Sequence, residues 1–113
     1  MKINEFIQKY RKVKKIIPGM TSSYCPHVIC KDGFKMSVQA GQSLYSKPRD
    51  VADYYEEAEI GFPSEEESLL VNYCEDETNP CGTVYSYVPC SIIDTVIEKH
   101  GGINEDAIKE SLK

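Results

Sequence analysis

The stretch VICKDGFKMSV, residues 28–38, decides the fold, because it predicts two short strands joined by a tight turn. The Asp-Gly pair in its middle is typical of hairpin turns when apolar runs lie on both sides. In the second strand Phe34, Met36 and Val38 alternate with polar residues, so their side chains should point to one face. The sequence therefore predicts an antiparallel hairpin with one buried face.

A helix is predicted upstream of this hairpin, and Asn4 is a suitable N-cap for it. Apolar residues that share one helical face follow, namely Phe6, Ile7, Tyr10 and Val13. The Pro-Gly pair at residues 18–19 should stop the helix, since proline disfavours the helical conformation of the residue before it. We therefore expect one amphipathic helix between Asn4 and this pair.

Downstream of the hairpin, helices and strands are predicted in mixed order. A third strand covers residues 54–62, and Ser64 with Glu67 forms a capping box for a second helix that buries Leu69, Leu70 and Tyr73. The later elements are a strand at residues 83–88, a helix from Pro89 to Gly101 and a short helix from Asn104. The order αβββαβα predicts an α+β fold with a mostly antiparallel sheet of about four strands and three or four helices.

Length and composition predict a single domain, residues 1–113. A chain of 12.8 kDa with 41% hydrophobic residues can bury one modest core. The formal net charge of −5 and the pI near 5.0 argue against direct binding of nucleic acid, which needs a basic surface. The acidic residues cluster at residues 56–59, 65–67 and 75–77, so the negative charge is patchy.

The N-terminal sequence MKINEFIQKYRKVKK is charged where a signal peptide is apolar, and no apolar run approaches the roughly 20 residues that cross a bilayer. Five cysteines, an odd number without regular spacing, fit free thiols in a reducing compartment. We therefore expect a cytoplasmic protein without a membrane partner.

A long polar segment, QAGQSLYSKPR at residues 39–49, lies between the second and third predicted strands. Loops of about a dozen residues without periodicity are uncommon in compact domains and are frequently functional. An arginine binds phosphate through two parallel hydrogen bonds, a tyrosine ring stacks on a base, and glutamine amides bond to base or sugar edges. The residues that we predict to bind a polar ligand are Gln39, Gln42, Tyr45, Lys47, Arg49 and Tyr54. The alternative is an ordinary surface loop in which the tyrosine packs and the arginine pairs with an aspartate.

The thiols and imidazoles are possible ligands of a metal ion. Zinc ligands would have to come from Cys25, His27, Cys30, Cys74 and Cys81, which lack the Cys-x-x-Cys pairs of structural zinc sites. We therefore predict no metal and no cofactor.

Cys90 is a possible nucleophile, because it lies at the start of the third predicted helix and a helix N-terminus can lower the pKa of a thiol. Catalysis would also need a base such as His27 or His100 nearby, and a buried, unreactive cysteine is the favoured interpretation. His100 is interpreted as a cation at the C-terminal end of the third helix. The sequence therefore predicts no catalytic residue and no enzyme.

With these residues identified, the chain resembles a group of small accessory proteins carried by bacteriophages and prophages. The matching words are CKDGFKMSVQAG, YSKPR, EIGFPS and TVYSYVPCSIIDTVIEKHGGI, which together cover most of residues 30–103. Where the group often has a histidine before the tyrosine of the loop, this chain has Leu44, which disfavours a catalytic or metal-binding loop. The resemblance implies a phage protein that acts in a bacterial host cytoplasm and disarms host defence.

Two functions follow as hypotheses. In the first, the protein is a non-enzymatic binding protein that sequesters a nucleotide-like or phosphorylated signalling ligand through residues 39–49, with a homo-oligomer completing the pocket if the pocket lies between subunits. In the second, the acidic residues mimic nucleic acid, and the protein inhibits a host defence protein or nuclease directly, as anti-CRISPR proteins do.

Overall fold

The first helix is shorter than the sequence predicts. In this computed structural model, which describes all residues 1–113, α1 spans Ile3–Tyr10 and buries Ile3, Phe6 and Ile7. Lys2 is the N-cap residue, so the prediction that Asn4 caps the helix is wrong. The side chain of Asn4 instead exchanges two hydrogen bonds with the backbone of Tyr55, at 3.0 and 2.8 Å.

The predicted continuation of α1 to residue 17 is also wrong, because two strands replace it. Strand β1 spans Lys12–Ile17 and β2 spans Met20–Tyr24, and they form an antiparallel hairpin around Pro18 and Gly19. The β-branched residues Val13, Ile16 and Ile17 favour an extended backbone over a helix. We call residues 12–24 the arm, since every residue of β1 is exposed and the hairpin pairs with no other strand.

The main sheet contains four antiparallel strands in the order β3-β4-β5-β6. Their bounds are Val28–Ile29, Lys35–Gln39, Glu57–Gly61 and Val84–Pro89. The predicted first hairpin is confirmed, with Val28 opposite Met36 and with Asp32 Oδ1 accepting a hydrogen bond from the N–H of Phe34 at 2.9 Å. Phe34, Met36 and Val38 are buried, as their alternation predicts.

The two C-terminal helices are also confirmed. Helix α2 spans Cys90–Lys99 and ends before Gly101, whose φ of +91° is the left-handed conformation that glycine adopts easily. Helix α3 spans Glu105–Ser111, and the side chain of Asn104 caps it by accepting a hydrogen bond from the N–H of Ala107.

The predicted second helix is wrong in type and position, because a short 3-10 helix spans Ser68–Tyr73 instead. Ser64 does not form the expected capping box, since its Oγ accepts a hydrogen bond from the N–H of Lys35 at 2.9 Å. Glu67 is the N-cap and accepts a hydrogen bond from the N–H of Leu69. Leu70 is buried, whereas Leu69 is exposed.

The buried apolar residues form a single core of 23 residues, contributed by α1, the main sheet, the 3-10 helix, the two C-terminal helices and the segments that connect them. The α+β class with an antiparallel sheet is therefore confirmed, and the arm adds two strands to the predicted order. None of the helices has the length and apolar character that crossing a bilayer requires.

Candidate binding site

Gln39, the first predicted ligand residue, is bonded to its own chain. Its Oε1 accepts a hydrogen bond from the N–H of Cys25 at 2.8 Å, and its Nε2 donates to the carbonyl of Cys25 at 2.8 Å and to Ser37 Oγ at 2.9 Å. Both amide hydrogens are thereby used, so these bonds have to break before Nε2 can donate to a ligand. The side chain joins β4 to the segment that follows the arm.

Gln42 makes a similar contact with the arm itself. Its Oε1 accepts a hydrogen bond from the N–H of Thr21 at 2.6 Å, and its Nε2 donates to the carbonyl of Gly19 at 3.1 Å. Next to it, Gly41 lies so close to Ser23 that a Cβ on residue 41 would be 2.7 Å from Ser23 Oγ. The polar loop therefore holds β2 against the rest of the protein.

Tyr45 and Arg49 lie together on the surface, as the ligand hypothesis requires. The guanidinium carbon of Arg49 is 5.4 Å from the centroid of the Tyr45 ring, which is a cation–π distance. On the same ring, the centroid of Tyr87 is 5.6 Å away at an interplanar angle of 45°. Tyr87 reaches this place from a bulge in β6 with a φ of +52°, and such strained positions are frequent at functional sites.

Lys47 and Tyr54 do not join this cluster. Lys47 Nζ forms an ion pair with Glu56 Oε2 at 3.1 Å, and both side chains are exposed, so the pair is weak. Tyr54 is exposed on 65% of its area and makes no hydrogen bond or ring contact with the other predicted residues. Of the six predicted residues, Tyr45 and Arg49 are therefore the pair that combines mutual contact with access to a ligand.

A more enclosed site lies at the base of the arm, where two adjoining cavities of about 340 and 400 Å³ share Tyr24, Pro26 and Leu112. Residues 9–12 line the first cavity, and the second is further lined by His27, Ile29, Lys35 and Ser111. We call the two cavities together the basal groove. The C-terminal end of α1, the arm and the C-terminal end of α3 meet there.

The lining of the basal groove is cationic and contains no aspartate or glutamate. Lys12 and Lys35 are exposed and form no ion pair, whereas Lys9 is paired with Glu105 at 2.7 Å. Arg11 is fixed by hydrogen bonds to the hydroxyl of Tyr55 and the carbonyl of Ala52, at 2.8 and 3.0 Å. The groove thus offers two free ammonium groups and one fixed guanidinium to an anion.

Tyr24 supplies an aromatic surface between these cations. It is exposed on 57% of its area and lies directly across the hairpin from Lys12. This pair does not follow from the sequence prediction, because a long first helix would not bring Lys12 opposite Tyr24. The available signal was the run of β-branched residues before the Pro-Gly pair.

A second unpredicted arrangement surrounds His100, whose side chain is 8% exposed. Its Nδ1 lies 2.6 Å from Asp32 Oδ2 and its Nε2 lies 2.8 Å from Glu67 Oε1, so each ring nitrogen faces a carboxylate. The ring of Phe34 stacks on the imidazole with the centroids 4.1 Å apart, and Lys99 Nζ lies 2.9 Å from Glu67 Oε2. The turn before β4, the 3-10 helix and the end of α2 are joined at this point.

This environment favours the imidazolium form of His100. Burial alone would lower the pKa of His100, but the hydrogen bonds with Asp32 and Glu67 outweigh burial and raise it above its ordinary value of 6.5. Burial likewise opposes the charged form of Glu67, yet hydrogen bonds from Leu69, Lys99 and His100 lower its pKa to about 2. Both ring nitrogens of His100 are therefore hydrogen-bonded to carboxylates within the fold.

The cysteines are free thiols, and three of them are buried. Burial raises the pKa of Cys25 and Cys30 to about 11 and that of Cys90 to about 12. A thiol with such a pKa is almost entirely protonated near neutral pH, which disfavours Cys90 as a nucleophile. No group of three or more His, Cys, Asp or Glu side chains is arranged to hold a metal ion.

No protein-family model, no curated protein and no solved structure matches this chain significantly.

Proposed function

We propose that the protein is a non-enzymatic binding protein that sequesters a phosphorylated, nucleotide-like ligand in the basal groove. The observation that carries this proposal is the combination of an exposed Tyr24 with the free ammonium groups of Lys12 and Lys35 in a concave site without lining carboxylates. A phosphorylated aromatic ligand needs these two features, a ring to stack on and cations for the phosphate.

Each side chain has a defined role in this proposal. Tyr24 stacks on the base, and Lys12, directly across the hairpin, binds the phosphate from the same side. Lys35 binds the phosphate from the second of the two adjoining cavities. Arg11 adds positive charge without having to be ordered, since its guanidinium is already fixed by Tyr55 and Ala52.

The biological role rests on the resemblance to small phage proteins. A phage protein that holds a signalling nucleotide of its host removes that signal from the defence system without any chemical reaction. Sequestration of this kind needs a site with affinity and no catalytic group, and the protonated, buried Cys90 and the fully bonded His100 agree with that requirement.

The Tyr45–Arg49 surface is the second place where the same ligand class can bind. Arg49 can take a phosphate and Tyr45 can stack, as the sequence predicts, but Gln39 and Gln42 bind backbone groups of the chain. The basal groove is preferred because it is concave, whereas Tyr45 already has the ring of Tyr87 and the guanidinium of Arg49 against it.

The first experiment is native mass spectrometry of the purified protein, alone and after incubation with an extract of bacteria whose nucleotide signalling has been activated. The proposal predicts a retained small mass that heating releases. Titrations with a nucleoside monophosphate and a cyclic dinucleotide then give the affinity of the wild type. A protein that retains no small mass and binds neither probe contradicts the proposal.

Variants distinguish the two surfaces. Tyr24→Ala should weaken binding roughly 5- to 150-fold, since stacking on an aromatic side chain contributes about 1–3 kcal/mol per base. Tyr24→Phe keeps the ring and should bind like the wild type. Tyr54→Ala is the matched control, an exposed tyrosine outside the groove. If Arg49→Ala loses binding while Tyr24→Ala binds like the wild type, the ligand binds at the Tyr45–Arg49 surface and not in the basal groove.

A second candidate function is supported by the uncompensated acidic surface. Glu66, Asp76 and Glu77 are exposed and form no ion pair. Such a surface can occupy a basic site of a host defence protein or nuclease. The test is a pull-down from host lysate with the wild type and with Glu66→Gln/Asp76→Asn/Glu77→Gln. A salt-sensitive host partner that the triple variant loses favours this function over ligand sequestration.

A further inference from the structure

The arm has an apolar tip, formed by Ile16, Ile17 and Met20, about half of which is exposed. Ile16, Ile17 and Met20 are exposed on 53, 57 and 48% of their areas, although each is a residue that normally contributes to a core. A two-stranded hairpin by itself is only marginally stable in water, and exposed apolar side chains grouped at one place typically mark an interaction surface. The tip therefore has the character of an interaction surface.

The arm is also the basic part of an acidic protein. Residues 12–24 contain three lysines and no acidic residue, so the arm carries a charge of +3. The other 100 residues carry −8, which together with the arm gives the net charge of −5. Lys12, Lys14 and Lys15 form no ion pair within the chain. A partner of the arm should accordingly present carboxylates around an apolar surface.

The chain itself carries a surface of that chemistry. A cleft of about 250 Å³ beside the 3-10 helix is lined by Glu66, Val71, Cys74, Glu77, Pro80 and Tyr85. Its apolar floor matches the isoleucines of the tip, and its two exposed glutamates match the lysines that flank them. We call it the acidic cleft.

We propose that the arm of one copy docks its apolar tip into the acidic cleft of a second copy, and that two such contacts close a symmetric homodimer. In a twofold dimer each arm meets the other copy's cleft, so the same contact forms twice. This inference does not depend on the ligand proposed for the basal groove, because neither the tip nor the cleft belongs to it.

A second copy is favoured over a polyanion. DNA or an anionic lipid surface would attract the arm but repel the remaining −8 charges of the chain, whereas the cleft of another copy offers carboxylates at the place of contact. The arm is also held in a fixed position by Gln42 and Gly41, so little conformational freedom is lost when it docks.

The test is the oligomeric state measured by analytical ultracentrifugation of the full chain over a series of concentrations. The wild type is expected to be a dimer. Ile16→Ser/Ile17→Ser should raise the dimer dissociation constant at least tenfold, because the apolar tip is lost. The charge reversals Lys14→Glu/Lys15→Glu and Glu66→Lys/Glu77→Lys should each give monomers, while the control Lys31→Glu/Lys109→Glu should remain dimeric.

Mixing the two charge-reversed variants distinguishes this proposal from simple destabilisation. Each arm then faces a cleft of opposite charge, so the mixture should form heterodimers although each variant alone is monomeric. A monomeric wild type, a dimer that survives all arm and cleft variants, or a mixture that stays monomeric would each overturn the proposal. A monomeric wild type whose arm binds duplex DNA or anionic vesicles would overturn it in favour of a polyanion.

Discussion

The Oε1 atom of Gln42 accepts a hydrogen bond from the backbone N–H of Thr21 at 2.6 Å, so a side chain of the polar loop occupies a position that a third strand would take beside β2. The same amide donates to the carbonyl of Gly19 near the turn. One glutamine thus fixes both the strand and the tip of the arm, and the position of the basal groove depends on it because β2 ends in Tyr24.

Replacement of this glutamine should release the arm. Gln42→Ala removes hydrogen bonds that contribute about 0.5–1.5 kcal/mol each, so opening of the arm should become roughly tenfold more frequent. Faster amide exchange at Thr21 and faster tryptic cleavage after Lys14 or Lys15 would report this change. Gln8→Ala is the control. The side-chain amide of Gln8 donates a hydrogen bond to the carbonyl of Asp53, which does not belong to the arm. Equal exchange at Thr21 in both variants would show that Gln42 does not hold the arm in place.

Removal of the imidazole of His100 should destabilise the fold strongly. His100→Ala leaves the carboxylate of Glu67, which is 2% exposed, without its closest cation, and breaking a buried pair in this way costs about 3–5 kcal/mol. Urea denaturation should show this loss in the free energy of unfolding. Lys113→Ala, which removes an exposed ion pair with Glu110, should leave the unfolding midpoint unchanged. A midpoint of His100→Ala near that of the wild type would refute the structural role.

The same cluster predicts how stability depends on pH. Because the folded-state pKa of His100 is raised above 6.5, its contribution is complete below about pH 6.5 and is lost as the pH rises through the raised pKa. Because the pKa of Glu67 is lowered from 4.5 to about 2, its contribution is present above about pH 4.5 and is lost as the pH falls toward 2.

We therefore expect maximal resistance to urea between roughly pH 4.5 and 6.5, with a decline on each side. The alkaline decline should be absent from His100→Ala, measured over the same pH series. An identical alkaline decline in the wild type and the variant would assign it to other groups.

The thiols should react in two classes. Cys81 is exposed and Cys74 is half-buried, whereas Cys25, Cys30 and Cys90 are buried with raised pKa values. Mass spectrometry after brief alkylation of the folded protein should find label on Cys81 first and almost none on the buried three. Urea should make all five reactive, and Cys81→Ser should remove the fastest label. Rapid labelling of Cys90 in the folded state would contradict the raised pKa and support Cys90 as a nucleophile.

Local patterns were sufficient for the elements whose signals are short-range. The Asp-Gly pair, the alternation of Phe34, Met36 and Val38, and the left-handed Gly101 each depend on neighbours within a few residues, and each prediction is confirmed. The predicted length of the first helix is wrong because Val13 continues the helical spacing of Phe6, Ile7 and Tyr10. In the structure the chain is already extended at Lys12. Two periodicities fit the same residues there, and the β-branched run decides between them.

The sites depend on long-range contacts that residue types do not encode. Gln39 has the chemistry to bind a ligand, but its partners are backbone groups of Cys25, and sequence does not distinguish these two uses. The sequence places His100 at the C-terminal end of α2 but does not indicate its carboxylate partners. These carboxylates lie 68 and 33 residues away in the chain, so the cluster arises only when the turn before β4 and the 3-10 helix fold against α2.

Both outer strands of the main sheet are closed to further strand pairing. The segment around residues 102–104 bonds to β3 through Ile29 and Lys31, and β6 is covered by Glu75 and Tyr45 and interrupted by its bulge. The outer edge of β1 has no such cover. The repulsion among its lysines and the irregular register between Lys15 and Ile17 restrain edge-to-edge aggregation there. Acetylation of these lysines would remove the electrostatic part of that restraint, so β1 is where we expect amyloid-like assembly of this protein to begin.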